Sequence, residues 1–317
     1  MRSIWILNDA DVNPLMGPNQ SRLVREYLRA KGFITRIEDS LNGIVARVQH
    51  DDIVFAIGWD ARILDIKGLI EKVAIEREAK LRKTSIEEIT DVKIPLVKLV
   101  ALLPWGQGQG EKPGFEERIL CALDLALVRS STERTLLLEQ YQNFNGDDCR
   151  VVGGFEIMFD VLNVCPKVSW EARENRIVFP YQETSGNGFD ELSALVADYS
   201  ARYPADKLKM VSLFGRIPTR EKYLAEVARA KVIFSGRMNG WPTELFDASF
   251  LGVYPLTPNG GIFKETVPDA CRYTSPGNRV DFLHTLLRKP FAYLGLSSSL
   301  NQDSLSDLLK ARDGTRS

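Results

Sequence analysis

The chain has 317 residues, more than a single hydrophobic core usually serves, so its length predicts two domains. Hydrophobic residues make up 44% and charged residues 26%, a balance typical of a folded globular chain, and no apolar run approaches the ~18 residues that span a bilayer. The net charge of −1 argues against a chain built mainly to bind polyanions, although a local basic groove stays compatible with it.

The N-terminus and the cysteines indicate a compartment. Met1 and Arg2 lead directly into a strand-like run without the regions of a signal peptide, so we predict a cytoplasmic protein. The cysteines are widely spaced and form no C-x-x-C pair, which disfavours zinc and a disulfide framework. We predict reduced thiols in the core at Cys121, Cys149, Cys165 and Cys271.

In the first half, short apolar runs alternate with helical periodicity, a pattern typical of parallel α/β units. The predicted strands span residues 4–7, 35–38, 52–57, 96–103 and 125–128, and the run at 150–154 ends this half. The predicted helices span residues 20–31, ended by Gly32, then residues 66–83, and a segment that begins after Ser130. Residues 104–110, P-W-G-Q-G-Q-G, form a loop after the fourth strand, where Trp105 could stack on an acceptor or anchor the loop.

The second half shows the same alternation after a linker over residues 163–175. Its predicted strands span residues 177–179, 209–214, 232–235 and 253–256. From residue 281 onward the pattern is helical with a serine-rich break.

The most informative run is N-G-W-P-T-E-L-F-D-A-S-F-L-G at 239–252, followed by a strand and by N-G-G-I-F-K-E at 259–265. It resembles the donor-site signature of retaining glycosyltransferases with the GT-B fold (group 1, glycogen-synthase-like C-terminal domain), acid-G-F-G-x-P-x-x-acid-A-x-x-x-G. Asn239 and Asp247 stand where that family usually carries two glutamates. The resemblance implies an α/β fold of two Rossmann-like domains whose parallel sheets face each other across a cleft.

The resemblance also implies roles at the start of the helix in this run, where free N–H groups and the helix dipole suit phosphate. Asp247 would accept from the ribose hydroxyls, and Asn239 would face the donor sugar. Gly260 and Gly261 would let the backbone approach that sugar, because no Cβ intervenes. Glu244 is assigned to the same donor site.

A second departure concerns the diphosphate. The segment Y-Q-E-T-S-G-N-G-F-D at 181–190 has Gln182 and Asn187 where the family carries an arginine and a lysine. Each charged hydrogen bond to phosphate is worth roughly 1.5–3 kcal/mol, so another cation is needed for turnover. Arg237 is the nearest substitute, and Lys264 and Arg216 are further candidates. Arg216 and Ile217 also belong to a segment that resembles the family's turn below the nucleotide base.

The predicted domains are residues 1–165 on the acceptor side, residues 166–290 for the donor, and a helical tail, 291–317, that packs back on the first domain. We assign catalytic roles to Asn239, Arg237 and Asp11. In a retaining enzyme the leaving phosphate can take the acceptor proton, whereas an inverting enzyme needs a first-domain carboxylate from Asp9, Asp11 or Glu156. We predict no metal site, and with only His50 and His284 the chain offers little for histidine catalysis.

Together these features predict a glycosyltransferase that moves a sugar from a nucleotide-sugar, a UDP-sugar, to an acceptor hydroxyl by a retaining, metal-independent route. The acceptor could be a hydroxymethylated DNA base, as for some bacteriophage enzymes of this fold, which places the protein in a bacterial or phage-infected cytoplasm. DNA would then meet cations of the first helix, namely Arg22, Arg25, Arg29 and Lys31. The alternatives are transfer to a polysaccharide or small metabolite, a nucleotide-sugar binding protein without turnover, and a sugar-nucleotide epimerase.

Overall fold

The computed structural model describes residues 2–8, 20–103, 113–152, 168–217, 219–236, 242–291 and 309. They form two parallel sheets, one of six strands and one of five, with helices between successive strands. The predicted α/β architecture is therefore confirmed.

The first sheet contains β1 (Ser3–Leu7), β2 (Ile34–Glu38), β3 (Ile53–Ile57), β4 (Lys98–Leu102), β5 (Leu125–Val128) and β6 (Cys149–Val151). Its strand order is β2-β1-β3-β4-β5-β6, and every pair is parallel. The central strands are apolar without alternation because helices cover both faces of the sheet.

The helices of this half are α1 (Gln20–Ala30), α2 (Leu41–Val45), α3 (Arg62–Arg82), α4 (Pro113–Ala122) and α5 (Ser131–Gln140). On one face, Trp5 and Val54 pack with residues of α2, α3 and α4. On the other, Ile4 and Phe55 pack with α1, and the buried Leu309 lies in the same cluster.

The second sheet contains β7 (Glu174–Phe179), β8 (Lys209–Ser212), β9 (Ala230–Phe234), β10 (Tyr254–Pro258) and β11 (Arg272–Tyr273). Its order is β11-β10-β9-β7-β8, again all parallel. The helices are α6 (Phe189–Arg202), α7 (Arg220–Ala228), α8 (Thr243–Phe250), α9 (Phe263–Thr266) and α10 (Arg279–Arg288). One continuous apolar cluster underlies this half.

The structure differs from the sequence expectations at several element ends. Helix α3 begins at Arg62, four residues before the predicted start, because Ile63 is buried and belongs to its apolar face. Strand β7 begins at Glu174, inside the predicted linker, because it pairs there with β9. Strand β8 ends at Ser212, and the chain turns over residues 214–216.

The cysteines depart from expectation at one position. Cys149 and Cys271 are buried free thiols, and burial raises the pKa of Cys149 to about 11. Cys121 is free but exposed, so the prediction of a core thiol is wrong there: it lies near the end of α4, outside the helix's packed face. Cys165 lies outside the described residues. No helix within the described ranges is long and apolar enough to cross a membrane.

Candidate functional site

The strand order of the second sheet reverses at β7, whose neighbours β8 and β9 lie on opposite sides. In open parallel sheets, ligands bind beyond the carboxyl ends of the strands at such a reversal. The loops after β7 and β9 meet there. The hydroxyls of Tyr181 and Ser235 lie 3.0 Å apart, and a Cβ added to Gly188 would lie 2.8 Å from the Cα of Gly236. Two glycines are therefore needed where these loops cross.

The β7–α6 loop contains the residues that replace the family's arginine and lysine. The Asn187 side-chain amide donates to the Gln182 carbonyl oxygen at 3.0 Å, and Gln182 is exposed. Helix α6 follows Gly188, whose φ of 85° is left-handed and whose position offers no side-chain cap. The start of α6 thus lies at the candidate site without a cation in the β7–α6 loop, and its first turn contains Asp190 and Glu191.

The site also contains a buried ion pair between Arg220 and Asp247, which the sequence did not predict. The Arg220 guanidinium donates to both carboxylate oxygens of Asp247 at 2.6 and 2.7 Å. The two side chains are 11% and 1% exposed, so the pair is shielded from water. A positive charge in the first turn of a helix is unfavourable, because the helix dipole is positive at that end. The position of Arg220 could therefore have suggested that an acidic partner elsewhere in the chain compensates it.

Glu244 lies one helical turn before Asp247 in α8 and is buried. Burial, with a contribution from the nearby Asp247 charge, raises the pKa of Glu244 to about 8. Its Oε1 has no hydrogen-bond partner in the described part of the chain, and the same holds for the hydroxyl of the buried Tyr223 on α7. The raised pKa favours the protonated form of Glu244 at neutral pH, beside the charged Asp247.

The glycine pair after β10 forms a tight turn into α9. Gly261 has a φ of 49°, and the Gly260 amide donates to the Pro258 carbonyl at 3.1 Å. Lys264 is exposed on α9. At the other end of the site, Arg216 is exposed and pairs with Glu183 at 3.1 Å. Ile217, beside it, packs against the apolar cluster of the second half.

Glu265, also on α9, connects the two halves of the chain. Its carboxylate accepts from the Ser131 amide at 2.9 Å and the Thr132 amide at 2.8 Å, and also from the Thr132 hydroxyl. The next amide, that of Glu133, donates to Ser130 Oγ at 3.0 Å. The donors at the start of α5 are thus shared between Ser130 and Glu265, a role that the sequence reasoning did not assign.

The strand order of the first sheet reverses at β1. Polar side chains also lie at the carboxyl edge of this sheet. Arg62 pairs with Asp60 at 2.6 Å and donates to the Asn8 carbonyl at 2.6 Å. The Asn8 side chain donates to Asp39 at 2.5 Å. No group of three His, Cys, Asp or Glu residues in the described ranges is placed to bind a metal.

Several predicted residues lie outside the described residues: Asp9, Asp11, Trp105, Glu156, Arg237 and Asn239. The predicted DNA-facing cations lie on α1 or just after it. Arg22 and Arg29 are exposed, whereas Arg25 donates to Glu26 at 2.8 Å and Lys31 lies over the Tyr27 ring.

Sequence comparison finds no protein-family model that matches the chain and no curated protein with a similar sequence. Solved structures with a similar fold nevertheless include GT-B glycosyltransferases. An alpha-glucosyltransferase in complex with UDP and a 13-mer DNA containing an HMU base is similar over 98% of this chain and 99% of its own, with a TM-score of 0.61 and 10% identity.

An alpha,alpha-trehalose 6-phosphate synthase from Burkholderia multivorans is similar over 96% of this chain and 92% of its own, with a TM-score of 0.54 and 9% identity. This chain spans only 58% of a chain of the GtfA/B complex, at a TM-score of 0.46 and 13% identity. The chain therefore has the GT-B fold, which the signature around Asp247 predicted.

Proposed function

We propose that the chain is a glycosyltransferase that moves a sugar from a UDP-sugar to the hydroxyl of a hydroxymethylated base in DNA. The observation that carries this proposal is the likeness, over nearly the full length of both chains, to the alpha-glucosyltransferase in complex with UDP and DNA. The buried polar cluster at the strand reversal of the second sheet supports it, because this edge is where a GT-B fold offers a donor site.

The donor would lie across the carboxyl edge of β7, β9 and β10. Asp247 would accept from the ribose hydroxyls, and Arg220, which donates to both of its carboxylate oxygens, is a positioning residue that fixes its orientation. Gly260 and Gly261 would approach the sugar through their backbone. The amides at the start of α6 would face the diphosphate.

In the proposed retaining reaction, the bond between the sugar's anomeric carbon and the diphosphate oxygen breaks. The acceptor oxygen bonds to that carbon from the same face, and its proton passes to the departing phosphate oxygen. Charge grows on the diphosphate during this step, so cations near it accelerate transfer. We propose Arg237 as the main cation near the diphosphate, supported by Lys264 on α9 and Arg216 after β8. Asn239 would contact the sugar. No metal is required in this scheme. Should the reaction invert instead, Asp11 would serve as the base.

For a DNA acceptor, exposed cations of α1 such as Arg22 and Arg29 would contact phosphates. Binding would then weaken steeply as salt rises, because each neutralised phosphate releases counterions. A second candidate acceptor is a sugar phosphate, favoured by the likeness to trehalose 6-phosphate synthase. Binding of that small acceptor would show little salt dependence.

The experiment is to incubate the protein with a panel of nucleotide-sugars and to measure nucleoside diphosphate release. Each donor is tested with a hydroxymethylated duplex, the same duplex with unmodified bases, and a hexose phosphate. Release that depends on the hydroxymethylated duplex supports the proposal, and release with hexose phosphate supports the second candidate. Donor binding without release under any condition identifies a binding protein, and absence of donor binding overturns the proposal.

The matched variant is Asp247→Asn, which keeps the side-chain volume and one acceptor oxygen but removes the charge. We expect donor affinity to fall by about tenfold, the equivalent of roughly 1.4 kcal/mol. Glu221→Gln, an exposed change in the first turn of α7, should leave donor affinity unchanged.

A further inference from the structure

A cavity of about 550 Å³ lies at the end of the first sheet away from the candidate site. Ser3 and Ile34, which line it, begin β1 and β2, and Asp52 directly precedes β3. The cavity is therefore at the amino ends of the parallel strands, whereas the candidate site is at carboxyl ends. Its volume is within the ~300–1,000 Å³ typical of small-molecule sites.

Three arginines from different elements line this cavity: Arg36 on β2, Arg47 after α2, and Arg77 on α3. The guanidinium carbons of Arg36 and Arg47 lie 5.0 and 5.2 Å from the centre of the same Trp5 ring, so both cations contact one aromatic side chain. Arg47 is paired with Glu38, and Arg77 donates to the Ala46 carbonyl at 2.8 Å. Within the described ranges neither Arg36 nor Arg77 has a carboxylate partner.

The one acid in the lining, Asp52, forms no ion pair with these arginines. Asp52 is buried, and its oxygens accept from the Ser3 amide at 2.8 Å, from Trp5 Nε1 at 2.9 Å and from the Gln49 amide at 3.0 Å. These bonds fix the Trp5 ring as the floor of the cavity. The cavity thus combines a rigid aromatic floor with an excess of positive charge.

We propose that this cavity binds a phosphate-bearing small ligand at a site separate from the donor site. Guanidinium groups bind phosphate through paired N–H donors, and Arg36 and Arg77 have such donors without a competing carboxylate. Ile34, 40% exposed at the rim, would contact the apolar part of a phosphate ester.

The test uses the full chain labelled with 5-fluorotryptophan and observed by fluorine NMR. The Trp5 resonance, one of five, is assigned with Trp5→Phe. Inorganic phosphate and a nucleoside monophosphate are titrated separately at constant ionic strength, with chloride as the reference anion. We expect the Trp5 resonance to shift saturably. Tighter binding of the nucleoside monophosphate identifies a phosphate ester as the ligand, and equal affinities identify phosphate itself.

The variants separate this site from general attraction of anions. Arg36→Gln with Arg77→Gln should weaken binding by at least about tenfold, because charged hydrogen bonds are lost. Arg82→Gln, on the same helix as Arg77, is the control and should titrate like the parent protein. If the double variant does not fold, the two single variants replace it. A Trp5 resonance unmoved by both ligands, or one that shifts equally in parent and double variant, overturns the proposal.

Discussion

The two places where the strand order reverses, one in each sheet, differ in how deeply their charged side chains are buried. At the second sheet, Asp247 and Arg220 form a pair that is almost wholly buried, and Glu244 is buried as a neutral acid. At the first sheet, Arg62 and Asp60 are 29% and 13% exposed, and their partners Asn8 and Asp39 lie at the surface or partly exposed.

This difference indicates two kinds of site. A buried cluster whose charged groups are paired with each other keeps its geometry before a ligand arrives, which would suit the proposed donor, whose charge must be met by fixed dipoles. A hydrated cluster can rearrange at low cost and suits a larger or more variable acceptor. The fold is the same in both halves, so side-chain burial rather than topology distinguishes them.

The largest expected effect comes from removing Arg220. Arg220→Ala leaves the Asp247 carboxylate buried without its cation, which should cost about 3–5 kcal/mol of unfolding free energy. The matched change at the first sheet, Arg62→Ala, should cost at most about 2 kcal/mol, because water can replace the lost donors. Urea unfolding of both variants measures the difference. Equal losses would contradict the contrast between the two sites.

The second effect concerns the glycine crossing. In Gly188→Ala the new Cβ would lie 2.8 Å from the Gly236 backbone, and the residue has a left-handed φ of 85°. Gly215→Ala is the control, since its φ of 68° imposes a similar backbone cost but no atom lies within 4 Å. We expect Gly188→Ala to lose about 1–3 kcal/mol more than the control, the range for overpacked sites. If the two variants have the same unfolding free energy within error, the loops after β7 and β9 can move apart at no cost, which would contradict the close crossing.

The third effect concerns Glu244 and pH. Its pKa of about 8 exceeds the ordinary 4.5, so between these values the folded protein binds more protons than the unfolded chain. Stability should therefore fall as pH rises from about 5 to 8, by up to roughly 1.4 kcal/mol per unit from this group. Glu244→Gln should remove that slope, so the unfolding free energy of the variant should increase relative to that of the parent protein as pH rises.

Urea unfolding at several pH values tests this, with Glu221→Gln as the control. Glu221 occupies the first turn of α7 but is exposed, so its replacement should leave the slope of stability against pH intact. A parent and a Glu244→Gln variant with parallel pH profiles would place a charged Glu244 in the folded protein.

The sequence predicted the strands well, because parallel strands buried on both faces read as apolar runs. It did not predict the contacts that join distant segments. Arg220 and Asp247 are 27 residues apart, and Glu265 meets Thr132 across 133 residues, so neither pair leaves a local periodicity. The burial of Glu244 could not be predicted from the sequence either, since an acid in the first turn of a helix is ordinarily exposed to solvent.

The smallest expected effect tests the connection between the two halves at Glu265. Its carboxylate binds the Ser131 and Thr132 amides of α5, whereas the Glu133 amide is bound by Ser130 within the first domain. Because Glu265 is partly exposed, Glu265→Ala should cost only about 1 kcal/mol, which corresponds to roughly fivefold faster hydrogen exchange at the two amides it binds. Exchange at the Glu133 amide should stay unchanged, because its partner remains. Since the control amide lies in the same helical turn as the two tested amides, a uniform increase at all three would indicate unwinding of α5 rather than loss of the connection. Unchanged rates at Ser131 and Thr132 would mean that the two halves are not joined there, and that the two sheets are oriented by other contacts.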